Sequence, residues 1–321
     1  MHRYEYAAPA AVLSEEGTAG FVMTCAFKRE KSATMEALQL IGDHLPTPGD
    51  SAPRGLRLNP VKLPGRGFVF VRLSPRPSRS DGDDPASTVS TTQTTAASSV
   101  VLGVSSAVVA AVRSGTAKQP RWLEKLQPVH TTCTADPAAV AAAVHRSLTH
   151  AGVDVTGGVT FAVVYRNRFK GEGGAGTGAG RGDKKEKEDD EYSRGVVVPR
   201  VAAGVEAAAT RGGSGRDDVA GAATVVPPRV DLKDPDVVIM VEVVSVPTPN
   251  SVEGDGRYSR RLAVGVLPKT ANVFEVKGRG IAPCALKATT GGAIAAGQGS
   301  ERKKDAHRGR AQARDEARTD A

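Results

Sequence analysis

Residues 230–244 read VDLKDPDVVIMVEVV. From Val237 to Val244 only Glu242 interrupts a run of large apolar side chains. A strand with one wet face alternates apolar with polar residues. Near-continuous apolarity predicts burial on both faces, as in the middle of a helix-covered sheet. Asp231 and Asp234 around Lys233 read as turn and capping residues leading into that strand.

The neighbouring segments supply the other layers. VTFAVVY (159–165) reads as a strand, and RLAVGVL (261–267) as another. Asp136-Pro137 opens a helix, with an Asp N-cap and Pro at the first helical position. Val140, Val144 and Leu148 then recur at i, i+4, i+8, and Gly152 ends the run. Residues 194–209 read as a weaker helix, with Pro199 and Gly204 against it. RGIAPCALK (279–287) reads as a last edge strand, because Pro283 would not be tolerated centrally.

In the N-terminal half, AGFVMTCAF (19–27) predicts a buried strand. A helix follows over Ser32–Ile41, with Ser32 as N-cap, a Met35, Leu38 and Ile41 stripe, and Gly42 as stop. Residues 44–66 read as loop and GFVFVRL (67–73) as a strand. Residues 75–99, rich in Ser, Thr, Asp and Pro, read as disordered, and 100–113 as helix. RWLEKLQPVHTTC (121–133) reads as a short amphipathic turn followed by an extended lead-in.

The expected fold class is therefore α/β, in two small units at 19–113 and 121–287. Residues 171–193 have linker composition, and 288–321 read as a basic, disordered tail.

Of the 321 residues, 43 are Lys or Arg and 35 Asp or Glu, a net charge of +8 that suits a polyanion. Aromatics at 4%, with 36 Gly and 20 Pro, limit the core to a small one built from Val and Ala. Cys25, Cys133 and Cys284 are too few and too scattered for a disulfide framework or a zinc site. The N-terminus has no long apolar region and carries Glu5, Glu15 and Glu16, unlike a signal peptide. The longest apolar stretch, Val100 to Val112, falls short of a membrane span. A soluble intracellular protein is expected.

Catalytic motifs are sparse. Gly171, Gly173 and Gly176 match GxGxxG formally, but the chain continues as GTGAGRGDKK and opens no helix, so a linker is the better reading. Glu242 has no His or second carboxylate near it in sequence, which favours a satisfied core residue over an acid–base group. Cys133 and Cys25 have no assignable base. His130 and His145 read as structural or surface residues. No catalytic residue, metal or small-molecule cofactor is expected.

Basic residues cluster in two places. Arg54, Arg57, Lys62, Arg66, Arg72, Arg76 and Arg79 fall in a window without Asp or Glu, where a solvated loop competes with a binding surface. Arg166, Arg168 and Lys170 follow the 159–165 strand at alternating positions, where a sheet gives way to a loop. Arg194, Arg200 and Lys233 fall on elements that can flank the same edge. With few aromatics alongside, base stacking is not evident, and contact through phosphates and backbone shape is expected.

GFVMTCAFKREKSATMEALQLI, RWLEKLQPVHTTCTADPAAVAAAV, TFAVVYRNR and VDLKDPDVVIMVEVV, in this order, resemble the THUMP-domain adaptor family of tRNA cytidine N4-acetylation. The similarity covers roughly 19–43, 67–73, 121–170 and 230–267. The resemblance implies a ferredoxin-like unit at 19–113 and a THUMP-like mixed sheet with helices at 121–287. It implies a non-catalytic role in tRNA processing. One partner would be tRNA and the other a separate RNA cytidine acetyltransferase, in the nucleus or nucleolus with the cytoplasm as alternative. Arg166, Arg168 and Lys170 would take the place of the basic residues after the first THUMP strand, Arg194 and Arg200 would lie on the next helix, and Lys233 in the VDLKDPD turn. Two other readings stand beside it: a ribonucleoprotein scaffold, and a small RNA-modifying enzyme centred on Glu242 or Cys133.

Overall fold

The computed structural model describes residues 6–7, 12–13, 16–46, 55–63, 67–75, 91–167, 190–213, 226–247, 258–277 and 280–287. All of them fall within one compact unit, residues 1–287. The class is mixed α/β, as the strand–helix alternation predicts.

The first sheet grows from β1 (Gly20–Cys25), every residue of which is buried. It is followed by helix α1 (Glu30–Gly42), strands β2 (Leu56–Lys62) and β3 (Phe68–Pro75), helix α2 (Thr91–Ser114) and strand β4 (Leu123–Val129). The strands lie in the order β2-β3-β1-β4, all antiparallel. Phe21, Met23 and Val71 pack against Ala33, Ala37 and Ile41 of α1 and Val101, Val104 and Val108 of α2. Val22, Phe68 and Phe70 form a cluster on the opposite face, together with Val244, Val246 and Ala263 from the second sheet. Each such fully buried side chain contributes about 1.5–3 kcal/mol.

The second sheet contains β5 (Thr131–Cys133), β6 (Thr160–Asn167), β7 (Arg229–Val230), β8 (Val237–Pro247) and β9 (Tyr258–Pro268), in the order β5-β9-β8-β6-β7. Strand β6 runs parallel to β7 and β8, and the remaining pairs are antiparallel. Helices α3 (Pro137–His150) and α4 (Arg194–Gly213) cover one face, where Val237, Ile239, Val241 and Val243 point. Val238, Met240 and Val244 point to the other face and join the clusters of the first sheet. The 237–244 run is thus buried on both sides, as its composition predicts.

Asp136 caps α3 through its side chain, accepting from the amides of Ala138 at 2.9 Å and Ala139 at 3.0 Å. A two-stranded hairpin, β10 (Phe274–Lys277) with β11 (Gly280–Pro283), places the expected edge strand at Pro283 beside a strand that the sequence pattern did not reveal.

Several expectations need correction. Residues 91–99, expected to be disordered, belong to α2. Ala97, Val101, Val104 and Val108 supply a buried stripe that outweighs the poor helix propensity of Thr and Ser. The rest of that insert, 76–90, lies outside the described residues, as do most of the 171–193 linker and the 288–321 tail. Helix α1 starts two residues before Ser32. Its N-cap is Arg29 without a side-chain bond, and its buried stripe is Ala33, Thr34, Ala37, Leu40 and Ile41, leaving Met35 43% exposed. The 44–66 loop contains β2, an edge strand that tolerates Pro60 for that reason. The 121–133 stretch forms β4 and β5, and β4 pairs with β1 in the first sheet.

Helix α4 runs through both Pro199 and Gly204. Gly204 is a packing position: a Cβ there would lie 3.2 Å from the Ala141 Cα and 3.3 Å from the Val144 Cβ on α3. The Ala97–Ser114 part of α2 is long and apolar enough to cross a membrane, although the sequence pattern placed this region short of a span. In the structure its Val stripe lies in the core of the first sheet.

Candidate nucleic-acid interface

The register of β6 and β8 sorts the predicted basic residues. Phe161 pairs with Val237 and Asn167 with Val243, so both strands end on the same side. Arg166 sits at that end, half-buried and in register with Glu242. Arg168 and Lys170 lie outside the described residues.

Arg194 is the first residue of α4 and is exposed. It follows Tyr192 closely, and the Tyr165 hydroxyl donates to the Tyr192 carbonyl, which holds the helix start at the β6 end. Arg200 is half-buried further along the helix, and its guanidinium donates to the Ala135 carbonyl just beyond β5. Cys133 of β5 pairs with Leu262, and Leu262 with Val243, so Ala135 belongs to the same end of the sheet. The structure therefore brings Arg166, Arg194 and Arg200 together at the C-terminal ends of β6 and β8.

Lys233 is elsewhere. It is exposed in the turn before β8, where the Asp231 carboxylate accepts from the amides of Lys233 at 2.7 Å and Asp234 at 3.1 Å. That turn adjoins the start of β6, because Asp236 accepts from Thr160 through its amide at 2.9 Å and its hydroxyl at 2.6 Å. The length of β6 separates the two ends by about 20 Å. The expectation that Lys233 flanks the same edge is overturned by the parallel pairing of β6 and β8.

Two arginines that the sequence pattern did not single out join the site. Arg260 and Arg261 open β9 next to Val244 and Ser245 at the end of β8. Arg260 donates to both carboxylate oxygens of Asp190 at 2.7 and 2.6 Å, and its guanidinium lies 5.8 Å from the Tyr192 ring centroid. Arg261 lies 3.9 Å from the Glu16 carboxylate. With Thr134, Glu191 and Ser259 these residues line an open depression of about 560 Å³. Their only sequence signal is an adjacent Arg-Arg pair at a strand start. Sheet pairing through β8, and not proximity in sequence, brings that pair beside Arg166.

Of the other basic cluster, Arg57, Lys62 and Arg72 lie on β2 and β3, while Arg54, Arg66, Arg76 and Arg79 are outside the described residues.

The residues weighed for catalysis are held in unreactive settings. Burial, then the Glu16 charge, pushes the Cys133 thiol up to about 12, and burial, then Glu30, pushes Cys25 to about 11. Both thiols stay protonated near neutrality and are poor nucleophiles. Glu242 is fully buried in the sheet. Among the described residues no group of three or more His, Cys, Asp or Glu side chains is placed to hold a metal ion.

Comparison with known proteins gives no match: no family model, no curated protein and no solved structure is similar enough to the chain to be matched.

Proposed function

We propose that the protein is a tRNA-binding adaptor that presents tRNA to an RNA cytidine acetyltransferase for N4-acetylcytidine formation. The observation that carries the RNA-binding part is the gathering of Arg166, Arg194, Arg200, Arg260 and Arg261 where β6, β8 and β9 meet helix α4. Cations on a rigid sheet end suit phosphate contact, and Arg168 and Lys170 continue the chain from the same point. The β-α-β-β-α-β order of the first sheet and its 4-1-3-2 strand arrangement support the ferredoxin-like part of the reading. The recruiting role rests on the sequence resemblance and on the inert setting of Cys133 and Glu242.

The test is a tRNA gel shift across a salt series. Arg168→Ala/Lys170→Ala/Arg194→Ala should weaken binding and lower the slope of log K against log salt by about 1 for each phosphate no longer neutralised. Lys233→Ala, at the far end of the sheet, should leave the slope unchanged. A triple variant with the wild-type slope removes this surface from consideration. Acetylcytidine persisting unchanged in the tRNA of cells lacking the protein ends the adaptor role.

A further inference from the structure

The chain has one tryptophan, Trp122, and the fold surrounds it with cations. Arg29 lies over its ring at 4.2 Å from the centroid and Arg121 at 4.7 Å. Arg29 and Trp122 are far apart in sequence and meet because β1 and β4 pair. The turn after β1 carries Phe27, Lys28 and Arg29, and the lead into β4 carries Arg121 and Trp122.

The backbone there is pinned. Ala26 N–H donates to the Trp122 carbonyl at 3.4 Å, and the Glu36 carboxylate accepts from the amides of Arg121, Trp122 and Leu123 at 3.0, 2.8 and 2.9 Å. Phe27 is 53% exposed, with the Lys28 ammonium 5.4 Å from its ring centroid. Lys28, Arg29 and Arg121 are exposed and make no ion pair with a carboxylate among the described residues. The nearest acids are committed to backbone: Glu36 to those three amides and Glu30 to the Gly67 amide at 2.7 Å.

We infer that Phe27, Arg29, Arg121 and Trp122 form a platform that binds unpaired nucleotides of RNA, stacking bases on the aromatic and guanidinium planes while Lys28 and the guanidinium edges meet phosphates. An anion site alone would account for the cations and leave an exposed Phe unexplained. A hydrophobic docking surface would account for Phe27 and leave three unpaired cations to be desolvated. Aromatic faces interleaved with unpaired cations are what single-strand binding uses, each stacked base being worth about 1–3 kcal/mol. The platform lies on the first sheet, uses none of the arginines at the β6 and β8 ends, and goes beyond the tRNA reading.

Trp122 reports on it directly. The full-length protein is titrated at low salt with a short, unstructured oligoadenylate while tryptophan fluorescence is followed. The expected result is a saturable change, with Phe27→Ala and Arg29→Ala/Arg121→Ala each weakening binding about fivefold or more. These positions are exposed, and far-UV circular dichroism checks that the variants fold. No fluorescence change, or variants that bind as the wild type does, overturns the proposal. Inorganic polyphosphate producing the same change overturns it as well, because polyphosphate has no bases. The two sites separate cleanly. Platform variants that lose oligoadenylate but still shift folded tRNA support the platform. Loss of tRNA shift with oligoadenylate binding retained counts against the tRNA reading alone.

Discussion

Glu242 on β8 lies in register with Arg166 on β6, at the point where these parallel strands reach the candidate RNA surface. Glu242 is fully buried, Arg166 is half-buried, and neither lacks a partner. Arg166 is therefore part of the fold as well as of the basic cluster. Arg166→Ala should lower unfolding stability by about 1–3 kcal/mol, the range for leaving a buried polar partner unsatisfied. Arg194→Ala, on the exposed helix start, should stay within about 0.5 kcal/mol of wild type. Urea denaturation checks both, and an Arg166→Ala midpoint equal to wild type would remove the structural role. Weakened RNA binding in an Arg166 variant is interpretable only beside this measurement.

His130 sets an acid limit on stability. Its Nδ1 accepts from the Val266 amide at 3.2 Å, which a doubly protonated ring cannot do, so the proton sits on Nε2. Burial, then the charge of His150, pushes its pKa down from 6.5 to about 3. The folded pKa is depressed, so the unfolded chain binds the extra proton first as the pH falls. The stability that His130 contributes is fully present above about pH 6.5 and drains away toward pH 3, with a slope of up to about 1.4 kcal/mol per pH unit. His130→Gln should lack that component. The wild-type and variant stabilities, followed by denaturation from about pH 7 to about pH 4, should show the steeper fall in the wild type. Parallel curves would mean that His130 is not held neutral.

The second sheet was legible where one physical signal dominated. The 237–244 run could only be a strand buried on both faces, and Asp136-Pro137 could only open a helix. Position along the sheet was not legible, because Lys233 and Arg166 are placed by the parallel register of β6 and β8, which no local pattern encodes. In the first sheet, Pro60 and the Ser- and Thr-rich start of α2 argued locally against β2 and α2. An edge position in one case and a Val stripe in the other overrode them. The Arg29, Arg121 and Trp122 cluster was invisible for the same reason: FKREK and PRW carry no shared pattern until β1 and β4 pair.

Two glycines give a contrast in what close approach demands. A Cβ on Gly265 of β9 would lie 2.2 Å from the Pro128 carbonyl oxygen on β4, a backbone atom with no side-chain freedom to yield. Gly265→Ala should therefore cost about 1–3 kcal/mol or more. At Gly204 the tightest neighbour is 3.2 Å away, and Ala recovers about 1 kcal/mol of helix propensity, so Gly204→Ala should be close to neutral. Thermal unfolding of the two variants ranks them, and a Gly265→Ala midpoint at or above that of Gly204→Ala would contradict the close sheet-to-sheet contact.

Glu36 is the residue on which the first sheet's basic–aromatic surface depends. One carboxylate on α1 accepts three consecutive amides, those of Arg121, Trp122 and Leu123, where the chain enters β4. Hydrogen bonds to a charged group are worth about 1.5–3 kcal/mol each when buried and less where water competes, and Glu36 is half-buried. Glu36→Ala should cost about 2–3 kcal/mol in total and release the Arg121–Trp122 segment. Glu36→Gln keeps an acceptor oxygen and should retain part of the stability. Trp122 fluorescence and the unfolding midpoint separate the cases. A red-shifted, more quenchable Trp122 in Glu36→Ala, with Glu36→Gln intermediate, is the expected order. An unchanged Trp122 environment in Glu36→Ala would show that packing under the indole, rather than the carboxylate, holds the segment in place.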